Sequence, residues 1–167
     1  MKHVLSYIDA LSEWSGKIVS FLLPIIVSVI TIEVVMRYVF NSPTNWAHET
    51  TVYLCGALYL IAGAYVHRYK QHINMDIIYN HFSPRVKAIV DLCTSPTFFI
   101  FCGTIVWIGG IFFWNSLIIL EHSDSPWGPP LYPVKLLIPL GGFLILLQGL
   151  ANIVRTLHIA LTGKEIE

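Results

Sequence analysis

Four long runs of almost unbroken apolar residues, 18–36, 50–66, 92–120 and 136–154, organise the chain. The first holds a single charge, Glu33, and the other three hold none. A bilayer core of about 30 Å is crossed by roughly 20 apolar residues in a helix, so each run predicts a transmembrane helix. The runs lack the alternation of lipid-facing and lumen-facing residues that a barrel strand needs, and their backbone groups must bond within the segment. The expected fold is an all-α integral membrane protein of four tilted transmembrane helices plus short interfacial amphipathic helices.

The polar positions between the runs refine this. In 1–16, Val4, Ile8 and Leu11 share a helical face with Leu5 nearby, while Lys2, Asp9 and Glu13 lie elsewhere, as in a helix resting in the headgroup layer. In 69–83, Ile73, Ile77 and Ile78 form a similar face, with Lys70, Asn74 and Asn80 toward water. Pro133 suits a first helical turn, where its missing N–H is not needed. Ser83 and Pro84 offer the same start signal, with Ser83 as cap. A helix from Ser83 to Leu120 is about 55 Å long at 1.5 Å per residue, too long to stand upright, and Pro96 inside it predicts a kink. The expected organisation is a single membrane domain: an interfacial helix at 1–16, spans at 17–40, 46–68, 84–120 and 133–155, and a cytoplasmic amphipathic loop at 69–83.

Composition agrees: of 167 residues, 55% are hydrophobic and 12% charged, more apolar side chain than a soluble domain of this length can bury. A formal net charge of zero argues against nucleic acid as a partner. The placement of charge gives an orientation. Lys2, Lys17, Arg68, Lys70, Arg85, Lys87, Arg155 and Lys164 fall on one side, against Arg37 and Lys135 on the other, which predicts both termini in the cytoplasm. The first run is too long for a signal-peptide core and is followed by no small-residue cleavage site, so it is expected to stay as a mature helix. The far-side loops 41–48 and 121–132 are too short to fold alone, and the second is stiffened by prolines. Trp14, Trp46, Trp114 and Trp127 map near span ends, where indole anchors at headgroup depth.

Candidate chemistry is sparse. Glu33 and Arg37, four apart in the favourable order, share a face of the first helix and read either as a contact to a partner or ion path or as a local pair reaching the outer interface. Glu49 lies in the first turn of the second helix, after Asn45 as cap, and complements the helix dipole. Asp91 reads as helix-end electrostatics beside Arg85 and Lys87, and Asp76 as a solvated charge or a partner of Arg68 or Lys70. Cys55, Cys93 and Cys102 form no CxxC pair and read as free thiols. The seven histidines lie in loops or at span ends, not where paired haem ligands would face one another inside a bundle. No catalytic residue, metal site or cofactor is nominated. Glycines seven apart, Gly56 and Gly63, Gly103 and Gly110, Gly142 and Gly149, mark a flat stripe on each of the last three helices, where another helix can approach closely.

The segment RYVFNSPTNWAHE, 37–49, resembles the signature of the small membrane subunit, DctQ-like, of tripartite ATP-independent periplasmic (TRAP) transporters. The matching positions are Arg37, Tyr38, Phe40, Asn41, Pro43, Trp46 and Glu49. HINMD, from His72 to Asp76, is similar to that family's cytoplasmic-loop motif, and SPWGPPLYPVKLLIPLG resembles the last loop and helix of its mannitol/chloroaromatic branch. The resemblance covers nearly the whole chain. It implies a subunit of the bacterial inner membrane, in contact with lipids, working beside a large ion-coupled membrane subunit and a periplasmic substrate-binding protein in organic-anion uptake. It also implies that Glu33, Arg37, Asn41, Trp46 and Glu49 form a partner-facing rim. Two other classes stand beside it: a small four-helix membrane enzyme, which needs a polar cofactor pocket, and a stand-alone proton-coupled exporter, which needs Glu33 as its coupling carboxylate.

Overall fold

The computed structural model describes residues 2–69 and 84–162. Among the described residues, five helices follow one another: α1 (Lys2–Ser20), α2 (Leu22–Tyr38), α3 (Ala47–Arg68), α4 (Pro84–Ile118) and α5 (Tyr132–Thr162). Four stretches are long and apolar enough to cross a membrane: His3–Tyr38, Ala47–Arg68, Ile89–Ile118 and Tyr132–Ile159. The first of these joins α1 and α2 into 36 residues, about 54 Å at 1.5 Å per residue. The break between them at Phe21 has a local cause. Pro24 cannot donate to the Ser20 carbonyl four residues back and crowds it, so the turn tightens and Phe21 N–H bonds Ile18 O at 3.2 Å. The same conflict at Pro96, inside α4, is relieved by its neighbour: the Ser95 hydroxyl donates to the orphaned Leu92 carbonyl at 2.8 Å.

α5 is the centre of the arrangement. Its longest contact is with α4 and its next with α3; α1 and α2 in turn lie along α3. Glycines set the spacing of these seams. A methyl group on Gly141 would stand 2.5 Å from the Leu60 carbonyl oxygen of α3, and one on Gly142 would meet Ile105 and Val106 of α4 at 3.0 Å. Adjacent glycines thus let α3 and α4 close on α5 from two sides. Lower on α5, Phe98 of α4 fills the space over Gly149 and stacks on His67 of α3 at 4.6 Å. The large apolar side chains left exposed, from Val4 along α2 and α4 to Leu157, clothe the outside, as expected where lipid replaces water.

Candidate functional site

At the end of the bundle where α2 turns into α3, Glu33 does more than pair with Arg37. Its Oε1 accepts Arg37 Nε at 3.0 Å and a terminal guanidinium nitrogen at 2.5 Å. Its Oε2 accepts the Thr44 N–H at 3.0 Å and the Thr44 hydroxyl. One oxygen is neutralised on its own helix while the other closes the loop eleven residues on, so the carboxylate is a staple for the turn. The turn itself needs Asn41 at φ 51°, a left-handed conformation that asparagine tolerates better than most residues, and Ser42 N–H returns to Met36 O at 2.9 Å. Arg37, with a side chain 52% exposed, and Tyr38, Val39, Phe40 and Asn41 remain outward on this rim.

Glu49 forms a second staple. It accepts Tyr53 Oη at 2.7 Å on its own helix, then the Ser123 hydroxyl and Ser125 Oγ at 2.7 Å from the loop between α4 and α5. The helix-dipole account of Glu49 is therefore incomplete, because the carboxylate also ties the first turn of α3 to the loop between α4 and α5. Asn45 is not the cap. Trp46, half-buried, occupies that position without a side-chain cap bond. The pinned loop is folded in its own right: Ser123 N–H reaches Pro129 O at 2.9 Å, Leu131 N–H reaches Glu121 O at 2.8 Å, and Gly128 takes φ 60°. Lys135 pairs with Glu121 at its base and holds that carboxyl below the usual glutamate range. Replacing Glu49 with alanine is expected to release this loop, read as faster amide exchange over 121–131 with exchange in the middle of α4 unchanged; equal protection in both proteins would refute the staple.

The glycine stripes divide. Gly63, Gly142 and Gly149 face Ile145, Ile105 with Val106, and Phe98, whereas nothing lies within 4 Å of a methyl group on Gly56, Gly103 or Gly110. Gly103 and Gly110 instead floor an open, mainly apolar groove of about 450 Å³ walled by Trp107, Ile111 and Trp114. Three contact glycines fall outside the seven-residue pattern: Gly16 against Tyr65, Gly109 against Ile138, and Gly141 against Leu60. For Gly109 and Gly141 the doubled glycines at 109–110 and 141–142 were the available signal, since two consecutive helical residues cannot share one face.

The opposite end of the bundle holds a cluster that periodicity alone did not reveal. Asp9 of α1 pairs with Arg155 of α5, at 3.1 Å to one nitrogen and closer to the other, and accepts Gln148 Nε2 at 3.0 Å. Gln148, fully buried, also accepts the Ser12 hydroxyl at 2.7 Å. Arg68 donates to the Asp9 carbonyl at 2.8 Å and to Glu13 at 2.6 Å. The acidic side chains that helical periodicity assigns to water thus turn into the protein. The visible clue was a lone glutamine inside the fourth apolar run. Arg68 finds its carboxylates on α1; His72 and Asp76, the cytoplasmic-loop candidates, lie outside the described residues, as does the amphipathic face of 69–83. Among the described residues no group of three or more His, Cys, Asp or Glu is placed to hold a metal ion. Cys102 is buried and Cys55 half-buried, while Cys93 is exposed on the outside of α4.

Residues 26–158 match the family model described as tripartite ATP-independent periplasmic transporters, DctQ component. The C4-dicarboxylate TRAP transporter small permease protein DctQ of Vibrio cholerae is 24% identical over 129 residues, covering 72% of this chain and 55% of that protein. The chain spans about half the length of that curated relative.

Proposed function

We infer that this chain, which belongs to the DctQ component family of the tripartite ATP-independent periplasmic transporters, is the static small subunit of a transporter in the bacterial inner membrane. It works beside a large ion-coupled membrane subunit, to which a periplasmic binding protein delivers an organic anion of the carboxylate class. The C4-dicarboxylates in the name of the Vibrio relative are the first substrates to assay. The observation that supports a scaffold role is that Glu33, Glu49, Asp9 and Glu13, the carboxylates on α1 to α3, are all engaged in ties between segments of the chain. A coupling carboxylate of an exporter has to exchange its proton or ion in each cycle. Glu33 is instead held by a guanidinium and a loop, which is the behaviour of a structural group.

In this reading both termini and residues 69–83 lie in the cytoplasm. Residues 17–40, 46–68, 84–120 and 133–155 cross the membrane, and the Glu33 and Glu49 staples shape the periplasmic rim. Arg37, Asn41 and Trp46 then face the large subunit or the docking binding protein. The open Gly103–Gly110 groove offers a second apolar seam for a partner helix. Alanine at Arg37 and Trp46 together is expected to lower recovery of the large subunit on affinity purification about tenfold, equivalent to ~1.4 kcal/mol of interface free energy, with uptake of labelled C4-dicarboxylate falling in parallel. Unchanged recovery and unchanged uptake would sink the rim assignment.

A further inference from the structure

An amphipathic helix on a membrane surface ordinarily turns its polar face to water. α1 turns it to the protein. Leu5, Asp9, Ser12, Gly16 and Val19 follow one another at intervals of four and three residues and lie on the side packed against α3 and α5. Ser12 and Gln148 are buried, Gly16 presses on the ring of Tyr65, and Asn152 Nδ2 continues the network to His67 O at 3.2 Å. The donors and acceptor of the Gln148 amide are taken up by Asp9, Asn152 and Ser12. Such a satisfied buried network fixes the helix in one register.

The opposite side of α1 is a stripe of large apolar side chains, Val4, Tyr7, Leu11, Trp14 and Ile18, all exposed, with Tyr7 at 77% and Trp14 at 69%. The stripe does not stop at the Phe21 break. Every seventh residue from Val4 through Leu11, Ile18, Ile25 and Ile32 to Val39 is an exposed branched aliphatic, so the face of α1 runs on into the membrane-facing side of α2. In water such a continuous patch would be a liability. Its continuity with a face that is already in the bilayer names the cover. Charge agrees: the network gathers three cations, Lys17, Arg68 and Arg155, against two carboxylates, Asp9 and Glu13, leaving one positive charge for anionic headgroups.

We propose that α1 is a strap immersed in the membrane: Asp9, Ser12 and Glu13 clasp it to the ends of α3 and α5, and its stripe of Val4, Tyr7, Leu11, Trp14 and Ile18 is covered by phospholipid acyl chains. The strap lies deeper than a helix floating in the headgroup layer, because Asp9 and Ser12 on its inner side are satisfied by protein and need no water, while Lys17, 66% exposed, reaches the headgroups. Trp14, on this stripe, reports its depth.

The test uses the full chain in vesicles of phosphatidylglycerol and phosphatidylcholine, with Trp46, Trp107, Trp114 and Trp127 replaced by phenylalanine so that Trp14 alone emits. Phosphatidylcholine brominated near the carbonyl end of one chain is expected to reduce Trp14 emission to about half, while aqueous iodide has little effect. Gln148→Leu, and the milder Ser12→Ala, should each shift Trp14 emission to the red and raise iodide quenching, more for Gln148→Leu. Efficient iodide quenching in the parent would put the strap in water. Protection from both quenchers would mean a protein cover, such as a second copy. Unaltered emission in both clasp variants would show that the network does not hold the strap. Each of these outcomes overturns the proposal. The measurement requires neither the large subunit nor uptake, so it stands apart from the transporter assignment.

Discussion

Valine in place of Gly141 is expected to separate α3 from α5 and to lower the thermal midpoint of the purified chain by about 6–12 °C, taking ~3 kcal/mol at 2–4 °C per kcal/mol for a chain of this size. The obstacle is main chain: even the first carbon of a side chain would lie 2.5 Å from the Leu60 carbonyl oxygen and 2.9 Å from its carbon. A flexible side chain can step aside, but a helix backbone moves only as a body. Moving α5 away from α3 also loosens its seam with α4, because Gly142 is the next residue and faces Ile105 and Val106. Close contact is the main source of helix association in lipid, where apolar burial supplies no net drive. The control is built into the chain. Alanine at Gly103 or Gly110 meets nothing within 4 Å and should leave the midpoint equal or slightly higher, since alanine favours helix by about 1 kcal/mol over glycine. A Gly141→Val protein that melts with the parent would refute the seam. If the Gly103 or Gly110 variants keep their own stability but recover less large subunit, the open groove is where the partner packs.

Arg155→Met should cost about 3 kcal/mol, because it strands Asp9 with its charge partly compensated only by Gln148 and the more distant Arg68, at 4.0 Å. The Asp9 side chain is only 18% exposed, so water offers little relief. The asymmetry between breaking a pair and removing it gives the sharper reading. Asp9→Asn with Arg155→Met leaves no unpaired charge and is expected to recover most of the lost stability. Thermal melting together with proteolysis of the first twenty residues would separate the two cases: early cleavage in the single variant, near-parental resistance in the double. Equal stability of all three proteins would mean that the ion pair contributes nothing to holding α1.

Several features of the chain were legible from residue order alone. The four spans follow from hydropathy, because a bilayer imposes the same requirement on every segment that crosses it, whatever its neighbours do. The DctQ family could be read from 37–49, where Arg37, Asn41, Pro43 and Trp46 lie in one short segment. Glu33 and Arg37 could be paired from their spacing, since four residues is one helical turn. The second half of the Glu33 interaction, to Thr44, depends on how the turn at Asn41 folds back, and no periodicity describes a turn.

Long-range partners lay beyond sequence spacing. Asp9 and Gln148 stand 139 residues apart, and Glu49 and Ser125 76 apart, so only the packing of helices could introduce them. The division of the glycines had the same cause. A helix apolar on all sides carries no phase that says which face meets protein and which meets lipid, so Gly103 and Gly142 look alike until α4 and α5 are set side by side. The sequence by itself determined four stretches of spanning length and the family, since these depend on local hydropathy and on short motifs. The tertiary structure alone decided that the acids of α1 face the bundle, that Glu49 staples the last loop, and that one glycine groove stays open, because each depends on contacts between segments distant in sequence.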